Sequence, residues 1–210
     1  MLIKLTVFLP FLAFLISGFT GRFCNIKSKI FADRFAQLLT SSFLAISAIC
    51  AIIIFYQFYQ NPQSQNIILF TWLKSGDFSI NWSLYVDSLT SIMLVVVTLV
   101  SSLVHIYSIG YMADDKSINR FMSYLSLFTF FMLILVTADN FLQLFVGWEG
   151  VGVASYLLIG FWFKKQSANV AAMKAFIVNR VGDFGLVLAL ALIYLTFGSL
   201  EYSTVFAKAK

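Results

Sequence analysis

The chain has 210 residues, of which 60% are hydrophobic and 11% charged, with a formal net charge of +5. A soluble domain has about a quarter of its residues charged, so this sequence lacks the polar groups to cover a globule of its size, and lipid must be the solvent for most of it. Its charges sit in short clusters between apolar runs, as loops beside a membrane require, and this excludes nucleic acid as a partner. The two cysteines, Cys24 and Cys50, and the one histidine, His105, cannot supply an iron–sulfur cluster or a structural zinc site, which take about four ligands each.

In chain order, six apolar stretches are long enough to span a bilayer: Leu2–Gly21, Phe35–Tyr59, Leu84–Tyr111, Phe121–Ala138, Phe141–Phe163 and Val170–Phe197. The first has one basic residue, Lys4, and no small-residue cleavage site before Arg22, so it reads as a retained helix bent at Pro10 rather than a signal peptide. After the second, Asn61-Pro62 signals a turn. Ile67–Leu73 is then apolar, Ser75-Gly76-Asp77 is a turn cluster, and Phe78, Ile80 and Trp82 alternate with polar residues. That pattern predicts an extramembrane β-hairpin near 60–82, which must rest on a neighbouring subunit or on its own helix ends. Asp139-Asn140 separates the fourth and fifth stretches and makes them an antiparallel pair. Residues 198–210 form a short tail, too short and polar to start a seventh span.

The fold class expected is an all-α membrane protein of about six transmembrane helices with one hairpin, organised as 1–111, 112–197 and a 198–210 tail. Arg22, Lys27, Lys29, Arg34, Lys116, Arg120, Lys164, Lys165 and Lys174 lie near the loops after helices one, three and five, whereas Lys4, Lys74, Lys208 and Lys210 lie on the other side. The positive-inside rule then puts both termini outside. With 24 Phe and only two Pro, the composition suits lipid-facing helices and an AT-rich, mitochondrial gene.

Three ionisable residues fall well inside apolar segments: Glu149, Arg180 and Asp183. Each costs roughly 2.5–3.5 kcal/mol at a helix centre on insertion scales. Glu149 lies roughly 13 Å along its span, close to the bilayer mid-plane. Positions one turn away on its helix are Phe145, Val146, Gly152 and Val153, so a neutralising partner must come from another helix or from water. Burial penalises the charged form of a carboxyl and a nearby cation favours it. A cation that moves would therefore make Glu149 load and release a proton; one that stays would make a fixed buried pair that only sets helix register. Arg180 and Asp183 are three apart and can pair locally. Lys174 lies near the basic end, where it can snorkel to the interface or join the polar face of Asn179 and Arg180. His105, late in the third span, reads as a hydrogen-bonded interface residue or as a relay member. Asp87, Asp114, Asp115 and Asp139 lie in turns or helix ends, where solvation accounts for them. Gly147, Gly150 and Gly152 have the wrong spacing for a dinucleotide fingerprint; Gly150 and Ala154 instead form a small-xxx-small step for close helix approach.

The run Gly147-Trp148-Glu149-Gly150-Val151-Gly152-Val153-Ala154-Ser155-Tyr156-Leu157-Leu158 closely resembles the fifth-helix signature of the chain 5 family of NADH:ubiquinone oxidoreductase, respiratory complex I, and its bacterial counterpart. Tyr107–Met112 with Asn119-Arg120-Phe121, and Asn179-Arg180-Val181-Gly182-Asp183, resemble the third-to-fourth-helix and sixth-helix motifs of that family. The resemblance implies an antiporter-like subunit built from inverted repeats and acting in proton translocation. It implies no redox cofactor on this chain, with NADH, FMN, iron–sulfur clusters and ubiquinone elsewhere in the complex, and other membrane-arm subunits and lipid as partners. It places Glu149 as the proton carrier opposite a seventh-helix lysine, with Arg180 and Asp183 as polar neighbours. The family is much longer than this chain, and that lysine lies beyond Lys210. The expectation is a split subunit in a mitochondrial inner membrane, completed by a second polypeptide that brings the missing helices and a cation for Glu149; a truncated sequence is the rival. A stand-alone multi-subunit cation/proton antiporter and a structural membrane scaffold remain the other functional readings.

Overall fold

The computed structural model describes residues 1–23, 29–76 and 78–209. Cys24, Lys27, Asp77 and Lys210 lie outside the described residues. Among the described residues, seven helices and one hairpin follow in order: α1 Leu2–Phe23, α2 Lys29–Gln60, β1 Gln65–Ser75, β2 Phe78–Val86, α3 Ser88–Tyr111, α4 Ile118–Val136, α5 Phe141–Ile159, α6 Gln166–Phe197 and α7 Tyr202–Lys208. The six long helices α1–α6 are each apolar and long enough to cross a membrane. Helix α1 runs unbroken through Pro10.

Several boundaries differ from the sequence expectation, each for a local reason. Leu84, Tyr85 and Val86 belong to β2 rather than to the third span, because Asp87 starts α3 by accepting the Thr90 backbone N–H at 2.8 Å. Alternating strand residues and an adjoining helix make one continuous apolar run in sequence, so hydropathy alone merged them. Helix α5 stops at Ile159, before Gly160, and α6 begins four residues earlier than expected, at Gln166. Helix α6 ends at Gly198, whose φ of 70° lies in the left-handed region that closes helices. The tail beyond it folds back as α7.

The antiparallel hairpin pairs β1 with β2, with register irregularities between Ile68/Phe70 and Thr71/Leu73. It rests on this chain's own helix ends. Strand β2 turns Ile80, Ser83, Leu84 and Val86 inward, and Ile80 packs with Leu190 and Leu200, flanked by Phe141 and Phe145. The Phe78 and Tyr194 rings meet edge-on at 5.2 Å. Strand β1 keeps Ile68, Phe70 and Trp72 exposed.

The core lies among α1, α2, α3 and α4, where Val7, Ala51, Ile54, Leu94, Leu127 and Leu133 are buried together. Hydroxyls also occupy it. Thr40, Thr98, Ser102, Ser108, Ser126, Thr129 and Thr137 each donate to a carbonyl one turn back, which satisfies them without water. The hairpin, the α4–α5 turn, α7 and the N-terminus share one end of the bundle. The α3–α4 and α5–α6 loops share the other, joined by the Trp162 indole N–H to Asp115 at 3.0 Å.

Candidate functional site

The site is built on α5, whose start is fixed by side chains. Asn140 caps the helix by accepting the Gln143 N–H at 2.8 Å. The fully buried Gln143 amide accepts the Ser83 N–H at 3.0 Å and donates to the Ser83 carbonyl at 2.7 Å, standing where a third strand would pair with β2. Asp139 is not merely solvated, as its turn position suggested. Its carboxylate accepts from Ser83 Oγ at 2.5 Å, Asn66 Nδ2 at 3.1 Å and Asn140 Nδ2 at 2.6 Å, tying both strands to the α4–α5 turn. Tyr202 of α7 sits beside it, and burial together with the Asp139 charge pushes its phenol pKa up to about 12.

Below this anchor, α5 lies tightly against α4. A Cβ at Gly147 would stand 2.6 Å from the Leu135 Cα, and one at Gly150 would meet the Phe131 ring. Ala154 is fully buried. The small residues thus serve close helix approach, as expected of Gly150 and Ala154. Gly152 faces open space.

That packing leaves Glu149, the ninth of the 19 residues of α5, turned towards α6. Its Oε1 accepts from Arg180 Nη1 at 2.8 Å. Arg180 Nη1 is 3.9 Å from Asp183 Oδ2, and Asp183 Oδ1 accepts the Trp148 indole N–H at 2.8 Å. The arginine also lies over the Phe176 ring at 4.8 Å. Two helices therefore contribute a closed cluster: Trp148 and Glu149 from α5, Arg180 and Asp183 from α6. The local pairing expected of Arg180 and Asp183 is the weaker of the two contacts, because the tertiary partner is closer. Within this chain, the sixth helix already brings a cation, Arg180, beside Glu149. The cluster is graded in depth, with side-chain exposures of 9% at Asp183, 23% at Glu149 and 50% at Arg180.

The remaining candidates lie elsewhere. Lys174 is exposed on α6. His105, late in α3, is fully buried between α3 and α4. Its Nδ1–H donates to the Ser101 carbonyl at 2.8 Å and its Nε2 meets Ser126 Oγ at 3.1 Å, while Ser101 Oγ and Thr129 Oγ1 are 2.5 Å apart. Helix α4 stands between it and the Glu149 cluster. Gln143 was the functional anchor missed in sequence; an uncharged amide near the start of an apolar span, three residues after Asn140, was its signal.

Residues 72–122 match the family described as NADH-ubiquinone oxidoreductase (complex I), chain 5 N-terminus, and residues 138–209 match the transmembrane family of NADH:quinone oxidoreductase and the Mrp antiporter; together the matches cover more than half of the chain. NADH-quinone oxidoreductase subunit L of Rickettsia typhi is 53% identical over 99% of this chain and 31% of its own length. NADH-ubiquinone oxidoreductase chain 5 of Chondrus crispus is 52% identical over 97% of this chain and 29% of its own length, and that of Arabidopsis thaliana is 48% identical over 98% and 30%. The chain thus spans about a third of the length of these curated relatives. A solved archaeal respiratory membrane complex, the membrane-bound sulfane sulfur reductase, contains a chain that superposes with a TM-score of 0.78 at 18% identity, covering 97% of this chain and 39% of that one. A chain of the Mrp complex from a Dietzia species gives 0.73 at 20% identity, covering 95% and 20%. These two share the fold. The protein belongs to the family of antiporter-like membrane subunits of NADH:quinone oxidoreductase that includes chain 5 and subunit L, and corresponds to the N-terminal part of such a subunit.

Proposed function

We propose that the chain forms part of a proton-translocating membrane-arm subunit of respiratory complex I in a mitochondrial inner membrane, helping to couple NADH:ubiquinone oxidoreduction to proton pumping. Glu149 carries the proton. The observation behind this reading is the Glu149–Arg180 contact at 2.8 Å in the middle of two membrane spans. An ion pair there is costly unless it faces protein or water. A carboxylate held by one cation stays charged; drawing that cation away makes proton uptake favourable. Arg180 has a second carboxylate within reach, at Asp183, so it need not lose all its stabilisation when Glu149 becomes neutral. Further helices of the subunit, on this polypeptide or a second one, complete the site on the open side of α6.

The test is Glu149→Gln in the assembled complex, which keeps side-chain shape and removes the titrating group. The expected result is a lower proton-to-electron ratio with NADH oxidation and assembly retained. A normal ratio in an assembled, active complex would leave Glu149 as a structural pair and refute the carrier role. Polypeptides that copurify with the chain separate complex I from a stand-alone antiporter.

A further inference from the structure

Arg180 stands between two carboxylates, and one nitrogen reaches for both. Its Nη1 lies 2.8 Å from Glu149 Oε1, across the seam on α5, and 3.9 Å from Asp183 Oδ2, on its own helix. Two physical considerations favour the opposite choice. Residues three apart on a helix are neighbours, so Arg180 and Asp183 can pair without help from tertiary structure. Asp183 is also the more buried acid, with a side-chain exposure of 9% against 23% for Glu149, and attraction between charges grows as water is withdrawn. Something must hold the nearer and deeper carboxylate back.

Trp148 is placed to do so. Its indole Nε1–H donates to Asp183 Oδ1 at 2.8 Å, a bond to a charged acceptor of the kind that is shorter and stronger than neutral ones. Glu149 has no such second donor: Arg180 is its one hydrogen-bond partner among the described residues. The register of α5 against α6 explains the division. Trp148 and Glu149 are consecutive on α5, yet they meet α6 at Asp183 and Arg180, three residues and about 4.5 Å apart along its axis. The tether therefore comes from α5, the helix packed tightly on α4. The Phe176 ring, one turn before Arg180 and 4.8 Å from its guanidinium, is the rival anchor for the cation.

We propose that Trp148 is a positioning residue that decides which acid holds Arg180. By keeping Asp183 Oδ1, it turns the local carboxylate off the guanidinium and leaves the cation to Glu149. The indole–Asp183 bond is then a latch. While it is closed, Glu149 keeps its cation. Once it opens, Asp183 closes on Arg180 and Glu149 is left alone at mid-span. There a carboxylate without a counter-charge takes up a proton from the aqueous phase and returns it when Arg180 comes back. The consequence for pumping rests on the carrier reading of Glu149, whereas the choice of partner does not.

The test is Trp148→Phe in the assembled complex, which keeps an aromatic ring and removes the indole N–H. In a cryo-EM map that resolves side chains, the order of the two distances is expected to invert, with Arg180 nearer Asp183 than Glu149. The proton-to-electron ratio is expected to fall, by no more than in Glu149→Gln. In the Asp183→Asn background the competing charge is gone, so adding Trp148→Phe changes neither readout further. Such non-additivity marks two residues acting through one contact, and a merely structural tryptophan would not give it. Should Trp148→Phe fail to assemble, Trp148→Met, which fills space without a donor, is read in the same way. Arg180 remaining on Glu149 in these variants overturns the inference and leaves the Phe176 ring as the anchor. A further loss of the ratio when Trp148→Phe is added to Asp183→Asn overturns it as well. Arg180 moved to Asp183 with a normal ratio supports the tether and refutes instead the carrier role of Glu149.

Discussion

Helices α5 and α6 both carry ionisable residues into the membrane, yet they are held in opposite ways. Helix α5 is bolted down: Gln143 grips both backbone groups of Ser83, Asn140 caps the first turn, and Gly147 and Gly150 let α4 close to van der Waals contact. Helix α6 has only Ala172, Asp183 and Leu190 buried, and exposes Val170, Met173, Ile177, Val181, Phe184, Leu188 and Leu195. The carboxylate therefore sits on the rigid element and its cation on the open one. Under the proposed carrier role of Glu149, a carboxylate on the more tightly packed helix beside a counter-charge on the more open one is the arrangement a switch needs. It also means that α6 depends on lipid or further helices to cover an apolar face that the chain leaves bare.

The sharpest way to break this contrast is to loosen α5. Gln143→Leu keeps the volume and strands the buried N–H and carbonyl of Ser83, which β1 does not serve. Each orphaned backbone group costs about 1–3 kcal/mol, so the hairpin should detach from α5. Amide hydrogen exchange would show lost protection along β2 and the first turns of α5, with α1 and α2 unchanged. Protection equal to wild type would mean that the Asp139 and Asn140 hydrogen bonds and apolar packing hold the hairpin without Gln143.

The α4–α5 seam offers a matched pair of substitutions. Ala for Gly in a helix gains about 1 kcal/mol of propensity wherever there is room. At Gly147 a new methyl would meet the Leu135 backbone at 2.6 Å, which cannot swing aside as a side chain can; overpacking of that kind costs typically 1–3 kcal/mol. Gly147→Ala should therefore lower thermal stability in detergent by a net of up to about 2 kcal/mol, the difference of those two terms. Gly152→Ala, with nothing within 4 Å of its Cβ, should raise it slightly. If both variants behave alike, α4 and α5 are not in contact at this register.

How far the sequence alone reached follows from the range of each interaction. Hydropathy located six spans because each is a local property of about 20 residues, and it set Glu149 at mid-depth by counting. The pairing of Arg180 could not be read that way. Spacing on one helix pointed to Asp183, but Glu149, 31 residues distant, is closer in space. Chain 5 motifs brought Glu149, Arg180 and Asp183 into one neighbourhood without giving the geometry. Strand β2 lost its last residues to the third span, since Leu84 and Val86 are as apolar as any helix start. Asp139 and Gln143 were passed over because a polar residue at the end of a span looks solvated until the strand that covers it is in place.

The smallest expected effect concerns α7, which docks on the α4–α5 turn through the Tyr202 N–H to the Asp139 carbonyl at 3.1 Å and the Tyr202 ring edge-on to Phe141 at 4.7 Å. Burial, and then the Asp139 charge, raise the Tyr202 pKa from 10.0 to about 12. A tyrosine whose folded pKa is raised stabilises the docked state fully below the unfolded value and loses that contribution as pH climbs through the folded one. The docking of α7 should thus be constant up to about pH 10 and weaken between roughly pH 10 and pH 12. Tyr202→Phe, which keeps the ring on Phe141 and removes the ionisation, should abolish that alkaline step while leaving neutral-pH stability within about 1 kcal/mol. Tyrosinate absorbance near the ultraviolet edge, compared between wild type and variant, reads the step directly. A Tyr202 that ionised with the exposed tyrosines would show that α7 is not seated against Asp139, and the turn that starts α5 would then be held by the hairpin alone.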